Sequence, residues 1–137
     1  DGVVVSNHGG RNLDGSMAPL EALPEVLDAV GKRMAVLVDG GFRRGSDVVK
    51  ALALGADAVL IGRSTLYGVA AGGHAGAARA IRLFHEEISR VMALLGVRTV
   101  DELGPEFLHF TDNGFRRATQ PRVDLKLLDI ARAAAEG

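Results

Sequence analysis

Three times in succession this chain runs an apolar segment into a glycine-containing polar loop and then into a stretch of helical spacing, and this alternation restricts the fold more than any other feature. Strands that alternate with helices pair in parallel, because each helix returns the chain to the end of the sheet from which it left. The first apolar segment covers residues 2–6 and contains Val3, Val4 and Val5 in a row. An unbroken β-branched run predicts a strand buried on both faces. After a polar loop, Leu20, Leu23, Val26, Leu27 and Val30 recur at helical spacing. Pro24 is expected to open the main helix, behind a separate short turn, since proline suits the first turn. Gly31 is expected to end it.

Residues 35–38 predict a second strand, and Gly40-Gly41 break it. Ser46 is the expected N-cap of a helix ending at Leu54, with Asp47 in its first turn and Gly55 as its stop. Residues 58–61 predict a third strand. A short helical stretch at 65–71 follows, interrupted by Gly72 and Gly73. The longest amphipathic helix is expected over 76–95, its stripe made by Ile81, Phe84, Ile88, Val91, Met92 and Leu95. Thr99 and Glu102 fit a capping box. From Thr111 the pattern predicts a loop and then a helix over 123–135.

A doubly wound sheet and a (β/α)8 barrel both satisfy this order. Three strands cannot close a barrel of eight, so sheet edges and helix faces would stay open. The chain has no initiator Met and enters an apolar run at once, which implies a piece of a longer polypeptide whose missing strands lie upstream; a processed or engineered form is the alternative. No cysteine is present, which removes disulfides, thiolate catalysis and Cys-ligated metals. The formal net charge of -1 gives no field that would draw the chain to nucleic acid. No signal peptide is visible, and no apolar run is long enough to cross a bilayer.

The chemistry gathers in the three loops that follow strand C-termini, where active sites of parallel α/β folds lie. The first is Ser6-Asn7-His8-Gly9-Gly10-Arg11-Asn12-Leu13-Asp14-Gly15. His8 can take a proton near neutral pH, and Arg11 offers a planar fork to a carboxylate. That pair suits a substrate bearing a carboxylate beside its reacting carbon. A polar turn whose His8 caps a helix and whose Arg11 pairs with Asp14 is the plain alternative. The second loop, Asp39 to Asp47, and the third, Gly62-Arg63-Ser64, combine glycines with Arg43 and Arg63. Glycine turns and helix N-termini hold phosphate through backbone N–H groups, so two such loops in succession suggest a phosphorylated cofactor; a pair of tight turns with solvated arginines is the alternative. His74, His85 and His109 read as solvated or packing residues. Tyr67 reads as packing beside the phosphate loop, and Arg116, Arg117 and Arg122 as a solvated cluster. No metal site is expected.

Ser6-Asn7-His8-Gly9-Gly10-Arg11 with Leu13-Asp14 closely resembles the active-site signature of the FMN-dependent 2-hydroxy-acid dehydrogenases and oxidases. The resemblance continues through residues 39–56 and Ile61-Gly62-Arg63 and reaches about Phe110. The first motif is specific to that family, whereas the other two are shared with further FMN barrels. The resemblance implies the C-terminal three βα units of a (β/α)8 TIM barrel over residues 1–110, followed by a helical tail over 111–137. It implies oxidation of a lactate-, glycolate- or mandelate-like 2-hydroxy acid to the 2-oxo acid, with FMN as cofactor. His8 then matches the catalytic base, touching flavin and substrate, and Arg11 the group that binds the substrate carboxylate. Ser6 matches a flavin-contacting serine, and Asp39, Gly40, Gly41, Arg43, Gly62 and Arg63 the ribityl-phosphate site. Asn12 departs from the family, where glutamine is usual.

By the same resemblance, the barrel's first strands, the lysine beside the flavin, the aspartate that orients the base and the substrate tyrosines lie outside this sequence. A homo-oligomeric parent is expected, in the cytoplasm or held to the inner face of the membrane by an upstream segment, with oxygen, a quinone or a cytochrome as electron acceptor. Two alternatives stand beside this expectation. The chain is an inactive fragment or a half-barrel that needs a partner chain, or it belongs to another FMN barrel such as a type 2 isopentenyl diphosphate isomerase.

Overall fold

The computed structural model describes residues 1–31 and 33–110. Within them three parallel strands form one sheet in the order β1 (Gly2–Val5), β2 (Ala35–Val38), β3 (Ala58–Val59). Gly2 pairs with Ala35 and Val5 with Val38, while Leu37 and Val38 face Ala58 and Val59. β2 has its expected span, whereas β1 and β3 end earlier than expected. Ser6 and Ile61 lie beyond β1 and β3, because the chain leaves the ladder there to form loops. A last bond follows each edge of the sheet: Asp39 N–H donates to the Val5 carbonyl (3.1 Å) and Leu60 N–H to that of Val38 (2.9 Å). All three loops therefore leave at the same end.

Helix α1 (Pro19–Val30) corrects the expectation about Pro24. Pro19 occupies the first helical position, where a missing N–H costs nothing. Pro24 sits inside the helix and is buried. The helix passes through it, giving up the single bond that its N–H would have made to the Leu20 carbonyl. Gly31 ends α1 in a positive-φ conformation (φ 56), its N–H bonded to the Leu27 carbonyl at 2.8 Å.

Helix α2 (Gly45–Leu54) begins one residue before Ser46, so Ser46 is not its N-cap. Arg44 holds that position, and the exposed N–H groups there are met by carboxylates instead. Gly55 (φ 120) terminates it as expected. Helix α3 (Arg63–Leu95) is broken by the non-helical Gly72 and Gly73 into arms 63–71 and 74–95. Both arms start two residues earlier than their apolar periodicity suggests.

The arms fold back on one another. A Cβ on Gly68 would lie 2.5 Å from the Gly76 carbonyl oxygen, and one on Gly76 would strike the Gly68 carbonyl. Eight residues of straight helix would separate them by about 12 Å, so the break is a sharp turn sealed by two side-chain-free positions. Thr99 and Glu102 do meet, with the Thr99 hydroxyl donating to Glu102 Oε1 at 3.2 Å, but the element they open is one 3-10 turn, Val100–Glu102.

Apolar side chains divide over two clusters. Val5, Leu23, Val36, Val38, Phe42, Ala51, Leu54 and Ala56 fill the space between sheet and helices. Each fully buried Leu or Val there contributes about 1.5–3 kcal/mol. Val49, Ala53, Val97 and Leu103 lie between α2 and the long arm of α3. The expectation that β1 is buried on both faces is met on one side only. Val5 is buried while Val4 is 48% exposed, because among the described residues the helices cover one face of the sheet. The expected tail helix over 123–135 and the Arg116, Arg117 and Arg122 cluster lie outside the described residues.

Candidate active-site cleft

The loop after β1 is built by its own side chains. Asn7 Oδ1 accepts the Gly9 N–H at 3.0 Å, and the Ser6 hydroxyl accepts the His8 N–H at 3.1 Å. These bonds wind His8–Gly10 into a 3-10 turn. His8 is held at φ 56, the only positive φ of a non-glycine among the described residues. A left-handed conformation costs an L-residue about 1–2 kcal/mol, and such strain is characteristically kept where it aims a functional side chain. His8 and Arg11 are both exposed, and both line one cleft of about 640 Å3.

The loop after β2 enters the same cleft with Asp39, Gly40, Gly41 and Arg43. Gly40 and Gly41 have φ of 90 and 84, so both favour glycine. A Cβ on Gly40 would press the Pro19 ring at 3.0 Å, whereas one on Gly41 would meet no protein atom within 4 Å. Asp39 Oδ1 is a buried oxygen without a hydrogen-bond partner among the described residues. Such an acceptor is costly unless something donates to it.

Gly62 and Arg63 bring the third loop to the cleft at the start of α3. Two contacts weld the loops together. The Ser64 hydroxyl donates to the Phe42 carbonyl at 2.6 Å, and the Arg63 guanidinium lies over Gly9, where a Cβ would come within 3.3 Å of Nη2.

Nearly all the expected site residues therefore share one cleft. Ser6 is the exception: it lies outside the lining, and its hydroxyl supports the His8 backbone. The Arg11–Asp14 pair of the alternative reading is not formed. Arg44 pairs with Glu87 and Arg79 with Glu86, whereas Arg11, Arg43 and Arg63 form no ion pair with a described residue and face the cleft. His74, His85 and His109 are exposed and away from the cleft, and no three ligating groups cluster for a metal among the described residues. No helix among them is long and apolar enough to cross a membrane.

Three contributors escaped the sequence reading. Leu60 and Leu66 join Tyr67 as an apolar wall. Glu87, from the long arm of α3, pairs with Arg44 at 2.8 Å behind the cleft. The hydrogen bond from Arg44, helped by that from the Gly45 N–H, holds the Glu87 carboxyl below its ordinary pKa, and the same bond raises Arg44.

Parallel βα units with guanidinium groups and glycine turns at the strand C-termini are the arrangement in which α/β enzymes hold anionic, phosphate-bearing ligands. The sequence pattern of the FMN-dependent dehydrogenases matches residues 1–110, and the chain belongs to that family. It is 53% identical over 107 residues to an L-lactate oxidase of Nostoc sp., covering 78% of this chain and 29% of that protein. It is 51% identical over 108 residues to the (S)-mandelate dehydrogenase of Pseudomonas putida, covering 79% and 27%. A crystal structure of a monotopic membrane protein, (S)-mandelate dehydrogenase, superposes with a TM-score of 0.76 at 50% identity, over 80% of this chain and 29% of that one. The chain thus spans less than a third of the length of these relatives. Its architecture is that of three βα units of a (β/α)8 barrel flavoenzyme.

The residues present fit FMN. The orphaned Asp39 oxygen suits a hydroxyl donor of a ribityl chain, and Arg43 and Arg63 suit its phosphate. The open faces of Gly41 and Gly62 leave room for both.

Proposed function

We propose that the protein carrying this chain oxidises a small 2-hydroxy acid, of the lactate or mandelate kind, to the 2-oxo acid. The observation that supports it best is the gathering of His8 and Arg11 in the same cleft as Asp39, Arg43 and Arg63. Bound FMN supplies the two-electron acceptor for the oxidation. Arg11 binds the substrate carboxylate through its planar fork, which orients the carbon beside it. His8 accepts the proton released in the oxidation, from the α-carbon or from the hydroxyl, and its rigid turn keeps the imidazole at the cleft. Asp39, Arg43, Gly62 and Arg63 hold the cofactor's ribityl-phosphate end, and Ser6 fixes the backbone of the catalytic turn.

The test is made in the full-length flavoprotein. Replacing His8 with alanine should slow flavin bleaching by a 2-hydroxy acid by about 10²–10⁴-fold, the usual worth of a general base, with FMN still bound. In Arg11→Lys the substrate affinity should fall by about tenfold or more, as one charge-assisted bond of the fork is lost. Bleaching at the wild-type rate in the His8 variant would remove His8 from the role of base.

A further inference from the structure

Two adjacent arginines, Arg43 and Arg44, stand at the exit of the second loop, and only Arg43 lines the cleft. Arg44 is drawn the other way. Its Nη2 lies 2.8 Å from Glu87 Oε1 and its Nε donates to Glu87 Oε2 at 3.1 Å. Glu87 Oε2 also accepts the Gly45 N–H at 2.7 Å. One carboxylate, 42 residues beyond Gly45 and with only 20% of its side chain exposed, thus takes donors from the N-cap and the first residue of α2. The N–H groups of Arg43 and Arg44 donate to Asp47 Oδ2 at 3.1 and 2.9 Å.

The N-terminus of α2 is therefore occupied by the protein's own carboxylates and offers these three N–H groups to no ligand. The anion falls to Arg43, the glycine turn before it and the start of α3. The backbone contact is equally close: a Cβ on Gly45 would lie 2.5 Å from Glu87 Cβ and 2.6 Å from the Ile88 nitrogen.

We propose that Glu87 is a positioning residue for the anion-binding half of the cleft, holding Arg44 and Gly45 so that Arg43 and the Gly40–Gly41 turn face the ligand. This rests on the reading of that half as the FMN phosphate site. Charge alone makes the opposite prediction. Glu87 is an anion near a phosphate site, and neutralising it would strengthen phosphate binding by simple Coulomb attraction. Positioning requires that neutralisation weaken it.

The experiment uses the full-length flavoprotein stripped of flavin and titrated with FMN and with riboflavin, followed by quenching of flavin fluorescence. Riboflavin lacks the phosphate, so the ratio of the two affinities reports the phosphate end alone. In Glu87→Gln the FMN affinity should fall by about tenfold, the worth of one charge-assisted hydrogen bond, while riboflavin binding stays within about twofold. Arg44→Gln, which keeps the bond to Gly45, should lose less.

An FMN affinity unchanged or raised in Glu87→Gln overturns the proposal. If Glu87→Gln does not fold, Arg44→Gln decides, and a ratio equal to that of the wild type overturns it. A wild-type protein with no preference for FMN over riboflavin would remove the underlying phosphate reading as well.

Discussion

Gly45 and Gly15 are both loop glycines in the sequence, yet they carry opposite constraints. Gly15 has no protein atom within 4 Å of an added Cβ, whereas Gly45 has Glu87 Cβ at 2.5 Å and the Ile88 backbone at 2.6 Å. Alanine at Gly45 must push α2 away from the long arm of α3 and should destabilise the full-length protein by about 1–3 kcal/mol, as overpacking does. Alanine at Gly15 should stay within about 0.5 kcal/mol. Denaturant melts of the two variants check this, and equal midpoints would mean that the α2–α3 approach relaxes freely. The contrast marks where residue-level reading stops. His8, Arg11, Arg43 and Arg63 were legible because their chemistry is carried by short local motifs in loops that follow strands. Glu87 was not, because its partners lie 42 and 43 residues away and nothing in its own helix distinguishes it from Glu86. Ser46 misled for a related reason. It has the right chemistry for a cap, but the helix already starts at Gly45, where the N–H groups of Arg44 and Gly45 are met by the carboxylates of Asp47 and Glu87.

At the scale of elements, apolar runs, caps and glycine stops placed the three strands and α1, α2 and α3 but not the 3-10 turns His8–Gly10 and Pro105–Phe107, and glycines at 31 and 55 marked helix ends through their positive φ. The starts were less legible, since they depend on which donors find partners in space. The junction of α2 and α3 is where this matters for stability. Around Glu87 stand Arg44 and the Gly45 N–H, with Arg90 adding a weaker attraction, and together they lower its pKa from 4.5. The sign follows from linkage. A carboxyl whose folded pKa is depressed binds its proton more readily in the unfolded state, so its stabilisation is complete above pH 4.5 and disappears as pH falls through the lower folded value. The melting temperature of Glu87→Gln should therefore lie below that of the wild type at neutral pH, and the gap should narrow as pH drops beneath about 4.5. A gap that stays constant through that range would assign the loss to packing and leave the charge without a part.

At the scale of the whole molecule, βα alternation implied a parallel sheet, and the three units could not decide between an open sheet and a barrel; the family motif supplied that step. Closure is a property of all eight strands and cannot be written into three of them. The described residues display the consequence. β1 and β3 each pair on one side only, and the uncovered surface carries Val4 at 48%, Leu60 at 44%, Leu66 at 61%, Tyr67 at 69% and Val69 at 48% exposure. Several of these flank the cleft, so the surface that lacks cover is continuous with the candidate site. An open parallel edge with apolar neighbours is a template for association. Residues 1–137 expressed alone should bind an apolar dye such as anilinonaphthalene sulfonate and sediment with a mass that grows with concentration. Supplying the upstream part of the same protein as a second polypeptide should suppress both effects if it pairs with β1. FMN should then raise the melting temperature of the pair, because a ligand that binds only the closed form stabilises by mass action, about 2.7 kcal/mol at a hundred times its Kd. A monomeric, dye-free 1–137 with a cooperative melt would mean that the three units complete their own core, and the cleft would then have to be judged without the rest of the barrel.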